Sequence, residues 1–164
     1  MPNTLTYPLL IDAAKAILAT VASYTAPGAP RGERTLDPVL FGFLLGADTQ
    51  VDRQVSVIVA GKKRRIDFRC RGNNPANLEW ALRPRNGGGQ LSAKSNASEI
   101  RKLSRTTNAR RYLLLIDLAP TPWSKKELAA DYKTITLGPG KYIRHSVTVV
   151  YVHEDSHFKI IWKA

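Results

Sequence analysis

A chain of 164 residues with one cysteine, Cys70, cannot close an intramolecular disulfide or build a cysteine-rich zinc site. No apolar run approaches the roughly 20 residues that span a bilayer. Residues 9–22 come nearest, but Asp12 and Lys15 interrupt them. No basic segment precedes that stretch, which argues against a signal peptide. Acid is also scarce: 13 Asp and Glu stand against 25 Lys and Arg, a net charge of +12. What remains is 43% hydrophobic and 23% charged, enough to build one core. The expectation is a soluble, cytoplasmic protein, with no membrane partner and a single domain over 1–164.

The charge is localised. Residues 53–111 hold fifteen basic residues and three acids (Asp67, Glu79 and Glu99), a net +12, while the rest of the chain balances. Fourteen of the 25 basic residues are Arg, the type suited to bidentate phosphate contacts. An excess of this kind repels itself unless an anionic partner relieves it, and phosphate backbone is the commonest such partner. Nucleic acid is therefore the expected partner, DNA ahead of RNA. Arg64, Arg65, Arg69, Arg83, Arg101, Lys102 and Arg105 are the candidate contacts.

Hydrophobic periodicity orders the elements. Leu10, Ala14, Ile17, Leu18 and Val21 recur at helical spacing and predict a helix over residues 8–23. Thr25 to Gly32, rich in Pro and Gly, reads as a loop. A second helix ends near Gly46 and starts either at Asp37-Pro38 or one turn earlier, at Glu33. The period then changes to two. Gln54 to Val59 and Arg64 to Cys70 read as strands joined by an Ala60-Gly61-Lys62-Lys63 turn, and Leu78 to Arg83 as a third. Pro84 to Gly89 is a loop whose glycines lack the Lys-Ser or Lys-Thr ending of a phosphate-binding loop. Asn96 and Glu99 resemble a capping box opening a basic helix over 97–106. Arg111 to Leu118 reads as a strand buried on both faces. Ser124 and Glu127 cap a short helix through Tyr132, and strands follow at Thr134–Leu137, Ser146–His153 and Phe158–Trp162. This order describes an α/β domain, or an α+β one, with a mixed sheet flanked by helices.

Two acids inside the basic tract carry the functional signal. Asp67 lies in Arg65-Ile66-Asp67-Phe68-Arg69, and Glu79, twelve residues on, lies in Leu78-Glu79-Trp80-Ala81-Leu82. Carboxylates on neighbouring strands can converge on one divalent cation, with the basic surround holding a phosphodiester beside it. They can equally just offset adjacent arginines. Residues 31–118 resemble the PD-(D/E)XK, or restriction-endonuclease-like, nucleases. The shared pattern is a helix with an acid (Glu33), a strand pair ending in Ile66-Asp67, a strand with Glu79, a helix and a buried strand. The resemblance implies a restriction-endonuclease-like core, Mg²⁺ or Mn²⁺ on Asp67 and Glu79, support from Glu33, and a homodimer as one arrangement.

The sequence departs from that pattern where it has Ala81 in place of the lysine two residues beyond the glutamate. Residues two apart on a strand share a face, so that lysine would stand beside the carboxylate and stabilise developing charge. Arg83 is next on the same face, and Lys94 or Lys102 could enter from later segments; Lys94 joins the catalytic candidates. The readings are a metal-dependent nuclease, a nuclease fold that binds without cutting, or a basic module docking on an acidic protein. His153 and His157 flank a turn and read as structural. Cys70 reads as a semi-buried strand residue. Trp80 alternates with Glu79 and points into the core.

Overall fold

A computed structural model describes residues 3–23, 32–59, 61–86, 89–138 and 144–163. Among the described residues are four helices, α1 (Tyr7–Ser23), α2 (Glu33–Gly46), α3 (Ala93–Ser104) and α4 (Lys125–Tyr132). They pack on six strands: β1 (Val51–Val59), β2 (Lys62–Cys70), β3 (Ala76–Arg83), β4 (Arg110–Asp117), β5 (Val147–His153) and β6 (His157–Trp162). The strands form one sheet in chain order. β3, β4 and β5 run parallel and the other neighbours pair antiparallel, so the sheet is mixed and the fold is α/β.

Each face of the sheet carries its own core. Leu78, Trp80, Leu82, Leu114 and Ile116 meet the apolar stripes of α1 and α2 on one side. Ala81, Leu113, Leu115, Val149 and Tyr151 meet Ile100, Leu103, Leu128 and Tyr132 of α3 and α4 on the other. Alternation along β3 and β4 therefore feeds both cores, which explains their near-continuous apolar sequence. Glu79 is the charged exception on the α3 side of β3.

Most elements match the sequence pattern, and the differences have local causes. α2 takes the earlier of the two starts: Gly32 precedes it in extended conformation, Glu33 opens it and Pro38 lies inside. Asp37 is consequently buried within the helix, where it accepts from Trp80 Nε1 (3.2 Å) and pairs with Arg53. α3 begins four residues sooner than the Asn96-Glu99 box suggests. Ser92 is its cap, accepting from Ser95 N at 3.3 Å, while the buried Asn96 amide donates to Gln90 O and Ser92 O. The Ser124–Glu127 capping box forms with both reciprocal bonds. No strand forms at Thr134–Leu137; Ile135 and Leu137 instead bury their side chains in the α3–α4 core. The loop expected over Thr25–Gly32 lies outside the described residues except for Gly32, as do Ala60, Gly87 and Gly88 in the two later loops. Gly61 has φ +73°, a left-handed value that glycine takes without cost in the turn between β1 and β2.

Candidate active site

The site is built where two ladders stop. β1 pairs with β2 on both sides of Gln54 and Asp67, but those two residues, which face each other in register, do not pair. Gln54 has φ +51°, a left-handed backbone that costs a non-glycine residue roughly 1 kcal/mol. Its amide turns to donate to Asp67 Oδ1 at 3.2 Å. The β2–β3 ladder covers only Phe68 to Cys70, so it also ends beside Asp67. There β2 turns over: Phe68 packs with α1 and α2, while Ile66 packs in the α3 core.

Beyond that point the edge of β3 has no strand beside it, and side-chain carboxylates take the strand's place. Asp67 Oδ2 accepts from Trp80 N at 3.3 Å, and Glu33 Oε1, from the start of α2, accepts from Leu82 N at 3.1 Å. Backbone N–H groups demand an acceptor when buried, and here acids supply it. Asp67 and Glu33 are thus fixed along one edge, with Glu79 beside them on the strand itself.

These acids line a cleft of about 340 Å³ together with Arg65, Ala81, Glu99 and Lys102. Lys102 enters from the last full turn of α3. Its ammonium lies 2.5 Å from Glu79 Oε1, contacts Glu99, and donates to Arg65 O at 2.7 Å. Glu79 is 2% exposed. Burial pushes its carboxyl up to about 10, with further pressure from Asp67, against which the Lys102 charge is only a partial relief. Glu33 is also raised, by burial first and then by its acidic neighbours, although the Leu82 N–H works the other way. Burial opposes the Lys102 charge, but Glu79 and Glu99 more than offset it and its pKa is raised.

Lys102 therefore brings its ammonium to Glu79 in this cleft, and Lys94 does not. Lys94 is exposed on α3 and lines no part of the cleft. Arg83 also differs from its expected role. Its guanidinium donates to both oxygens of Asp117, at 2.7 and 2.5 Å, and to Thr121 O. Asp117 is fully buried and accepts from Tyr151 Oη and Ala119 N as well. Arg83 is a structural residue, its Nε and Nη2 donors committed to Asp117 and Thr121 O. Arg101 donates to Thr136 O, Arg105 caps the end of α3, and Arg69 borders a separate cleft with Asp52 and Arg71. Arg64 and Arg65 are exposed.

Glu99 is the site residue that the sequence concealed, because its spacing from Asn96 suggested a cap. The other candidates are structural. His153 is buried, with Nε2 on Ala119 O and Nδ1 accepting from Asp155 N, which fixes the neutral Nε2–H tautomer. His157 is exposed and cross-strand from Val152, so the two histidines do not converge. Cys70 is 1% exposed, and burial pushes its thiol up to about 12, which leaves it inert.

No protein-family pattern, curated protein or solved structure matches this chain. Its chemistry must be read from the cleft. The donors there are hard carboxylate oxygens. Glu79 Oε1 and Glu99 Oε2 are buried, and neither receives a hydrogen bond of proper angle although both pair with Lys102. Among the described residues no three acids, histidines or cysteines form a ready metal cage. Mg²⁺ needs less than a cage, since it keeps waters and takes one or two carboxylates with substrate phosphate. Asp67 and Glu79 fit that requirement. No helix of the described residues is long and apolar enough to cross a membrane.

Proposed function

We propose that this protein hydrolyses phosphodiester bonds in DNA as a PD-(D/E)XK-type nuclease, with Lys102 of α3 replacing the lysine that Ala81 displaces. The observation that carries this reading is the 2.5 Å approach of the Lys102 ammonium to Glu79 Oε1 in a cleft shared with Asp67 and Glu33. Asp67 and Glu79 would hold Mg²⁺ or Mn²⁺, which when bound lowers the pKa of water and neutralises phosphoryl charge. Lys102 directs its cation at the place where negative charge grows, and Glu99, one turn back on the same helix, limits its rotamers. Glu33 holds the edge of β3 and so keeps Glu79 in register with Asp67. Arg65 lines the same cleft and can steer a phosphate toward it.

One observation favours a second reading, a nuclease fold that binds without cutting. Asp67 and Glu33 already serve as acceptors for Trp80 N and Leu82 N, so their retention has a structural reason of its own. Incubation of the protein with plasmid and linear duplex, with Mg²⁺, Mn²⁺ or chelator, separates the two. Metal-dependent cutting that disappears in Asp67→Ala supports the enzyme. If wild type and variant are equally inert yet both retard the duplex on a gel, the enzyme reading is lost.

A further inference from the structure

We propose that the outer half of the β1–β2 hairpin is an arm that grips a DNA duplex, with Ile58 as an apolar wedge between base steps. This rests on the nucleic-acid reading above and names the form of the substrate. β2 pairs with β3 only from Phe68 on, so Val55–Val59 and Lys62–Ile66 form a two-stranded ribbon outside the β2–β3 ladder. The base of the ribbon is anchored: Ile66 is buried, Val57 packs against the α3 core, and Lys102 donates to Arg65 O. The face carrying Ile58 is bare in its outer part, while Val59 beside it is buried. Ile58 is 72% exposed, the most exposed large hydrophobic residue among those described. Lys62, Lys63, Arg64 and Arg65 are all exposed beside it, and no acid lies between residues 55 and 66.

The register decides which of these share a face. Ser56 stands opposite Arg65 and Ile58 opposite Lys63. Directly opposed residues in an antiparallel pair project to the same side, as do residues two apart on a strand. Ile58, Lys63 and Arg65 therefore form one face, and Arg65 carries that face into the acid cleft. An apolar tip flanked by cations matches the device by which architectural proteins partly unstack and bend duplex DNA. A second copy of the chain pairing along β1 is the competing occupant. It would bring two +12 molecules together with no acid on the arm to offset the charge, so the duplex is favoured. From Ile58 and its partner Lys63 to Asp67 is four residues along β2, about 13 Å. That distance spans about four base steps of duplex.

The test uses the full chain and a duplex carrying 2-aminopurine at successive positions, with chelator present so that nothing is cut. Binding by wild type raises fluorescence at one step, and Ile58→Ser removes that rise and weakens binding roughly tenfold. With Mg²⁺ added, the cut falls within about four base steps of the bright position. Lys63→Ala combined with Arg65→Ala flattens the slope of log affinity against log salt by about 1.8. Ile58 is exposed, so its variant folds, and a thermal melt verifies this. An Ile58→Ser protein that matches wild type in both signal and affinity overturns the proposal. So does a wild type that is dimeric in solution, with Ile58→Ser monomeric and duplex affinity unchanged. The two readings fail separately: cutting with no role for Ile58 removes the arm and keeps the nuclease, whereas an Ile58-dependent signal without cutting does the reverse.

Discussion

Lys102, on helix α3, reaches Glu79, in the middle of strand β3, with its ammonium 2.5 Å from Oε1. Ala81, two residues beyond Glu79 on the strand, lines the same cleft from beneath. The positive charge is delivered across the domain instead of along the strand, and only its final position matters to a phosphate.

That relationship predicts the behaviour of two substitutions taken together. Lys102→Ala lowers cleavage by about 10²–10³-fold, the usual cost of removing one charge-stabilising donor, with duplex affinity in chelator changed far less. Adding Ala81→Lys to Lys102→Ala returns part of the rate, because residue 81 shares the face of Glu79. A double variant as dead as the single one, with both folded by circular dichroism, counts against the transposed lysine.

Glu79 gives a prediction in the opposite direction for stability. Its carboxyl is raised from 4.5 to about 10, by burial and then by Asp67. The native state therefore binds this proton more tightly than the unfolded chain does. The associated stability is fully present below about pH 4.5 and drains away as pH rises toward 10. Glu79→Gln removes that loss, and melts in chelator near pH 8 show the variant more stable by about 1–3 kcal/mol. The same variant does not cut. Adding Mg²⁺ raises the melting temperature of wild type and not of Glu79→Gln.

The Arg83–Asp117 pair should be valuable to the fold and irrelevant to DNA. Asp117→Ala strands a mostly buried guanidinium and the Tyr151 hydroxyl, and costs about 3–5 kcal/mol in urea unfolding. Tyr151→Phe costs about 1–2 kcal/mol. Arg83→Met leaves the salt dependence of duplex binding unchanged, whereas Arg65→Met reduces its slope by about 0.9.

Gln54 carries strain for the sake of Asp67. Gln54→Gly relieves the left-handed backbone but loosens the unfolded chain, so stability stays within about 1 kcal/mol of wild type. Cleavage slows several-fold all the same, since Asp67 Oδ1 loses its donor. Gln54→Val keeps the unfavourable φ with a β-branched side chain, and its melting temperature falls.

The order of helices and strands was legible because hydrophobic period changes from 3.6 to two at residue 50 and because the Ser124–Glu127 capping box that opens α4 is local. Asp67 and Glu79 were legible for a similar reason: they are the only acids on strands within a basic tract. The lysine was not. Its identity depends on where α3 begins, and Asn96-Glu99 mimics a cap while the true one is Ser92. Starting the helix at Ala93 buries Ala93, Asn96, Ile100 and Leu103 and turns Lys102 toward β3. Arg83 was misjudged because its partner is 34 residues away and comes opposite it only through the parallel β3–β4 register. Pairings of that kind leave no periodic trace in a sequence.

Among the described residues, three ladder pairs, from Phe68–Leu78 to Cys70–Ala76, and the Asp67–Trp80 N bond join the β1–β2 hairpin to β3. Asp67 belongs to one side of this seam and Glu79 to the other. The outer ribbon is thus expected to open locally, with the amides of Val55–Val59 and Lys62–Arg65 exchanging before those of the buried strands β4 and β5. Ile66 and Phe68 are buried, one in each core, so they hold Asp67 beside Glu79 while the ribbon beyond them opens.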